Sequence, residues 1–256
     1  FISHLHGDHY FGLFGLIATF NLLGRKEPLD IFGPEGIKEI VLLSLKLAES
    51  WTKFPLRFHE LTKTSSVVIF ENERVRVSTL PLEHGIYTNG FLFKQKTKPR
   101  LIDIEAAKRL KVSSAYFNKA KLGNWVKNKF GQEVDYRLIT KEPFPVFSYA
   151  YCSDTAYHES LIPLIKEVSL LYHESTFLSQ HKYLCEATKH STAKQAAKLA
   201  NKAKVSNLIL GHYSTRYKNL EEFKREAKEI FPHIFLAREG SIFIIEDQPV
   251  LELTEI

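Results

Sequence analysis

Apolar and polar residues alternate along this chain with two different periods, and the changes of period divide it into three stretches. Tyr10–Leu23 is apolar in the manner of a helix, and Leu29–Phe32 reads as a strand. An amphipathic helix is expected from Pro34 to about Ser50, with proline suited to a first helical turn. Short runs of period two follow at Leu56–Glu60, Ser66–Phe70, Arg74–Thr79 and Phe91–Lys94, with a hairpin turn at Glu71-Asn72. From about Pro99 to Thr140 the regularity lapses. Tyr116, Phe117, Trp125 and Phe130 are scattered among lysines there, and the stretch reads as an inserted arm with too few apolar residues for a core of its own. Alternation then returns as strand Val146–Tyr151, helix His158–Lys166, strand Ser169–Tyr172, helix Thr192–Ala203, strand Val205–Leu210, helix Leu220–Ile230 and strands at Ile234–Ala237 and Ile242–Ile245. A sheet-rich middle followed by strand and helix in turn predicts an α/β domain of two sheets packed face to face with helices outside.

Length and composition support that picture: 256 residues, 44% of them hydrophobic, can bury a sizeable core as a single domain over 1–256 with the arm at 99–140 inserted. No apolar run approaches the roughly 20 residues of a membrane span, so no membrane partner is expected. Cys152 and Cys185 are the only cysteines, which provides no disulfide framework and fits a reducing, cytoplasmic setting. The absence of methionine, with Phe1-Ile2 reading as the end of a strand, suggests a fragment whose first strands precede residue 1; a sequence from which modified methionines had been dropped would also lack them.

Charge changes the picture further. The formal charge of +6 suits an anionic partner, but its distribution says more. Between 94 and 130 stand Lys94, Lys96, Lys98, Arg100, Lys108, Arg109, Lys111, Lys119, Lys121, Lys127 and Lys129, against only Asp103 and Glu105. That segment carries more positive charge than the whole chain's net, a distribution an RNA backbone could use.

The densest chemistry lies at residues 3–9, Ser-His-Leu-His-Gly-Asp-His. Imidazole and carboxylate are ligands that divalent zinc prefers. His4 and His6, two apart on an extended segment, face one side. Asp8 and His9 come after Gly7 has turned the chain, so they can serve a second ion. A two-metal centre needs further ligands, for which His84, Asp154 and His212 are candidates, each following an apolar strand.

The cluster resembles the signature of the metallo-β-lactamase superfamily. Its surroundings narrow the resemblance to the ribonuclease Z family of tRNA 3′-processing endonucleases: Leu22-Leu23-Gly24-Arg25, Ile31-Phe32-Gly33-Pro34-Glu35-Gly36, Pro81-Leu82-Glu83-His84-Gly85, Ser153-Asp154-Thr155, Tyr172-His173-Glu174-Ser175-Thr176-Phe177, His190-Ser191-Thr192-Ala193 and Gly211-His212-Tyr213-Ser214-Thr215-Arg216-Tyr217. It covers nearly the whole chain and implies an αββα sandwich, a homodimer and two Zn2+ per subunit, with Mn2+ or Fe2+ as other candidates. The resemblance implies that His4, His6 and His84 bind one ion, that Asp8, His9 and His212 bind the other, and that Asp154 bridges them. Asp8 is expected to double as base. His190 is the family's candidate for protonating the leaving oxygen, with Glu174 orienting its imidazole. Arg216 either holds a substrate phosphate bidentately or pairs with a carboxylate.

Removal of the 3′ trailer from precursor tRNA by metal-activated water is therefore the expected function. A small-molecule phosphodiesterase or other hydrolase of the same superfamily is the alternative, and a small substrate has no use for eleven basic residues on an arm. A nucleic-acid-binding protein with structural metals is disfavoured, because structural zinc leans on cysteine. Ser113–Lys119 departs from the Gly-Pro-rich arm of many family members, which leaves the arm's shape and its tRNA contact open while the chemistry stands.

Overall fold

The computed structural model describes residues 1–245 and the backbone of 251–254. Two compact units are present, one of residues 1–94 and 147–256 and one of residues 95–146.

The larger unit begins with an extended segment whose Ile2 N–H donates to the Phe32 carbonyl at 2.8 Å and whose Ser3 carbonyl accepts from the Asn89 N–H at 3.0 Å. No strand is assigned there, unlike the strand end expected at Phe1-Ile2. Helices α1 (Gly7–Tyr10) and α2 (Gly12–Leu22) follow, then strand β1 (Leu29–Pro34), helix α3 (Ile37–Leu47), β2 (Leu56–Leu61), β3 (Val68–Glu71), β4 (Val75–Pro81) and β5 (Asn89–Gln95). Helix α3 starts later than expected: Pro34 is the last residue of β1, paired with Leu61, and Gly36 precedes the helix at φ 97°, a left-handed conformation that glycine adopts without strain. The β3–β4 turn is closed by the Asn72 carboxamide oxygen, which accepts from Arg74 and Val75 N–H.

Residues 95–146 carry β6 (Leu101–Ile102), α4 (Ile104–Arg109), α5 (Phe117–Lys121), β7 (Val126–Lys127), β8 (Glu133–Val134) and β9 (Thr140–Lys141). The arm does have a small core, in which Ala107, Val112, Ala120, Val126, Val134 and Ile139 are buried together. These side chains come from elements too short to show a period or, for Val112 and Ile139, from the connections between them, and caps hold the elements in place: the Asp103 carboxylate accepts from Ala106 N–H at the start of α4.

The chain continues as β10 (Ser148–Cys152), β11 (Leu170–Glu174), α6 (Cys185–Thr188), α7 (Ala193–Ala203), β12 (Asn207–Gly211), α8 (Glu221–Lys228), β13 (Ile234–Leu236), β14 (Ser241–Ile244) and β15 (Leu251–Thr254). The helix expected over His158–Lys166 is only a 3-10 turn, Glu159–Leu161; Pro163 lacks the N–H a helix would need there. Leu161 and Ile165 are nevertheless buried.

One mixed sheet of seven strands, in the order β13-β12-β11-β10-β5-β4-β3, organises the larger unit, and β1 with β2 makes a separate parallel pair. Of the second sheet expected from the sequence, the described residues show this pair. Strands β10 to β13 run parallel, whereas β10 and β5 are antiparallel. Side chains alternate across the sheet as period two requires. Ala150, Cys152, Leu171, Leu208 and Leu210 pack with the alanine face of α7 and with Phe223 and Ala227 of α8. Tyr149, Leu170, Tyr172, Ile209 and Phe235 pack on the other face. Cys152 thus lies in the helix-side core, where burial pushes its thiol up to about 12.

Candidate metal centre

Strand ends and one helix bring the seven expected ligands together. His4 and His6 lie on the extended segment before α1, and Asp8 and His9 lie on α1. His84 follows β4, Asp154 follows β10 and His212 follows β12, which puts Asp154 and His212 at the carboxyl ends of the two parallel strands that flank β11, the usual edge for a site in an α/β sheet. Asp154 (φ 51°) and His212 (φ 56°) both adopt the left-handed region. This costs backbone energy, and such strain concentrates at functional sites. Gly211 is required beside His212, since a Cβ there would collide with the Tyr172 hydroxyl.

Two groups of donor atoms share Asp154. His4 Nε2 lies 3.1 Å from His6 Nδ1 and 3.7 Å from Asp154 Oδ2, while His84 Nε2 lies 3.3 Å from His6 Nδ1 and 3.8 Å from the same Oδ2. On the other side, His9 Nε2 lies 3.4 Å from Asp8 Oδ2 and 3.3 Å from Asp154 Oδ1, and His212 Nε2 lies 3.3 Å from that Oδ1. A tetrahedral zinc site with bonds of about 2.0–2.2 Å spaces its ligand atoms roughly 3.3–3.6 Å apart. The donor set therefore fits a metal ion on each side of Asp154. His190 also comes within reach of Asp154 and His212.

Outer partners turn these rings. Ser3 Oγ meets His4 Nδ1 at 3.0 Å, the Lys189 carbonyl accepts from His84 Nδ1 at 3.2 Å, and Thr176 Oγ1 meets His212 Nδ1 at 2.9 Å. In each case Nε2 is left to face the cluster. Burial, aided by His9, pushes the His4 imidazole down to about 4, and burial likewise lowers His9 and His84. All three are held neutral, the state a metal ligand needs. Burial works to raise Asp154, but His212, the Ser153 hydroxyl, His9 and His4 outweigh it and keep the carboxylate ionised. The sequence reading assigned no role to Ser3, Ser153, Thr176 or the Lys189 carbonyl. Three of these are hydroxyl residues within two positions of Glu174 or a ligand, a signal that was available; a backbone carbonyl leaves none.

Glu174, at the end of β11, is fully buried. Its Oε1 accepts from His190 Nδ1 at 2.7 Å and from Thr155 N–H. Its Oε2 accepts from Thr176 N–H, the Thr176 hydroxyl and Ser191 N–H. Burial would raise Glu174, yet the His190 bond and charge and these N–H groups hold it below the usual carboxylate range. Burial also acts to lower His190, but the Glu174 bond and charge win and raise it. His190 is not a helix cap: Thr192 caps α7, in a capping box with Gln195. Arg216 donates to Ser214 Oγ and lies over the Phe177 ring at 5.2 Å; among the described residues it pairs with no carboxylate. His59, by contrast, pairs with Asp30 at 2.8 Å, away from the cluster.

Fold and centre together define a metallo-β-lactamase-fold protein with clusters of histidine and aspartate compatible with a metal site. The chain is 45% identical over 246 residues to a Ribonuclease Z of Cytophaga hutchinsonii, covering 94% of this chain and 77% of that protein. It is 38% identical over 247 residues to a Ribonuclease Z of Bacteroides thetaiotaomicron, with coverages of 96% and 78%. It belongs to the ribonuclease Z family. No family model matches the chain. Among solved structures, the short form of human tRNase Z shares the fold with a TM-score of 0.62 at 22% identity, over 98% of this chain and 76% of that one. A metallo-β-lactamase-fold protein of Bacillus subtilis does so with a TM-score of 0.59 at 15% identity, over 98% and 75%.

Proposed function

We propose that this protein is an endoribonuclease that removes the 3′ trailer from precursor tRNA in the cytoplasm, as a zinc-dependent homodimer with two metal ions per subunit. The observation that carries the reading is the sharing of Asp154, one carboxylate oxygen toward His4 and His84, which His6 adjoins, and the other toward His9 and His212, with Asp8 beside His9. Two divalent cations held there would polarise the scissile phosphate and lower the pKa of the attacking water. Asp8, whose side chain is 75% exposed, is the open member of the set and accepts the water's proton. As the water oxygen bonds to phosphorus, the bond from phosphorus to the ribose 3′ oxygen breaks. His190, charged through Glu174, protonates that oxygen, so the tRNA leaves with a 3′-hydroxyl and the trailer keeps the phosphate.

Arg216, which among the described residues pairs with no carboxylate, is placed in this reading on a substrate phosphate. The basic residues of the arm supply the sequence-independent hold on RNA. Among the described residues no helix is long and apolar enough to cross a membrane. Cleavage of precursor tRNA, followed with His190→Ala and with the arm removed, tests the assignment against the small-phosphodiester alternative: a small-substrate enzyme would be indifferent to loss of the arm.

A further inference from the structure

Thr176 joins the two halves of the site, and the direction of its hydrogen bonds can be worked out. Its side chain is nearly buried, at 7% exposure. The hydroxyl lies 2.7 Å from Glu174 Oε2 and 2.9 Å from His212 Nδ1. Glu174 accepts from five donors and is ionised, so it can only accept. The single hydroxyl proton therefore goes to Oε2, and Thr176 Oγ1 must accept from His212. That places the imidazole proton on Nδ1 and leaves the Nε2 lone pair facing Asp154 Oδ1, 3.3 Å away.

We propose that Thr176 is a positioning residue whose hydroxyl fixes the tautomer of His212 and ties it to Glu174, so that one buried carboxylate orients both the proton donor His190 and the metal ligand His212. Carboxylate–histidine–metal arrangements commonly make this link directly; here a hydroxyl stands between carboxylate and imidazole. It follows that Glu174 acts on the metal centre as well as on His190. In a Glu174→Gln variant a carboxamide NH2 placed at the Oε2 position would take Thr176 Oγ1 as its acceptor. The hydroxyl proton would then turn toward His212 Nδ1 and favour the tautomer that carries hydrogen on Nε2.

The inference rests on the two-metal reading, and the experiment separates the two. In zinc-loaded wild-type protein, long-range proton–nitrogen correlations of the His212 ring should show Nδ1 protonated. In competition with a chromophoric chelator, Thr176→Val should weaken one of two zinc equivalents by roughly 10–100-fold, the usual scale for loss of an outer-shell partner, and spare the other. Thr176→Ser, which keeps the hydroxyl, should bind both as wild type does. An unprotonated Nδ1 in the wild type, or full affinity for both equivalents in Thr176→Val, overturns the proposal. If Thr176→Val does not fold, the wild-type spectrum and the serine variant decide. A wild type that takes up fewer than two equivalents overturns the two-metal reading itself.

Discussion

The candidate metal centre and the arm are built on opposite terms. At the centre, the side chains that fix the geometry are buried and their polar atoms partnered: Glu174 has no exposure and five donors, and His4 has none and a partner on each side. In the arm, Trp125 is 52% and Phe130 63% exposed, with the ammonium groups of Lys111 and Lys129 near 5 Å from the Phe130 ring. Phosphodiester chemistry depends on atoms held to fractions of an ångström, whereas attraction to an RNA backbone depends on charge and reach. The difference teaches that substitutions at the centre should alter the reaction and substitutions in the arm should alter the choice and strength of substrate binding.

The most damaging change expected is Asp154→Ala. Both donor groups lose their shared carboxylate, so bound metal should fall from about two ions per chain toward none and cleavage should vanish; a variant that retains two ions by elemental analysis would refute the bridging role. His190→Ala comes next, with kcat lowered roughly 10²–10⁴-fold and metal content unchanged. On an ester with a nitrophenolate leaving group, which needs no proton, that loss should largely disappear.

The pH dependence follows from the same pair. Because Glu174 raises His190, the donor stays protonated to higher pH, and kcat should fall as pH rises through its pKa. In Glu174→Gln this descending limb should move to lower pH, and a limb that stays in place would show that another group titrates there. Replacing residues 95–146 with a short Gly-Ser link should have a smaller effect on chemistry. Precursor tRNA should bind more weakly with a flatter salt dependence, each lost phosphate contact removing about 0.7–0.9 of log-log slope, while small phosphodiesters are still cut. Equal loss on both substrates by a folded variant would make the arm structural. The smallest change expected is with Arg216→Ala, a rise in KM for RNA of several-fold with kcat nearly constant.

Legibility in the sequence divides in the same way. Residues 3–9 pointed to a candidate centre because four potential ligands in seven residues have no common structural use, and His84, Asp154 and His212, singled out because each follows an apolar strand, lie beside them in the fold. The parallel strands β10 to β12 and helix α7 were legible from their periods. The nearness of Thr176 to Glu174 in sequence was a signal, but its link to His212 exists only once β11 and β12 are paired and Glu174 lies beside Gly211. Pro163 marked the failure of the expected helix at 158–166, but the surrounding Leu161, Ile162 and Ile165 obscured it. The arm's core escaped notice because Ala107 and Ala120 come from helices of six residues or fewer, too short for any period to appear, and Ile139 from a connection between elements.

The most direct test of the central claim is cleavage of one precursor tRNA by the purified protein before and after metal is removed with a chelator and zinc is restored. The account predicts a single cut that releases the trailer and leaves a 3′-hydroxyl on the tRNA, lost with the metal and regained with about two zinc ions per chain. Undiminished cutting by metal-free protein, or intact precursor tRNA alongside rapid hydrolysis of small phosphodiesters by the zinc-loaded protein, would contradict it.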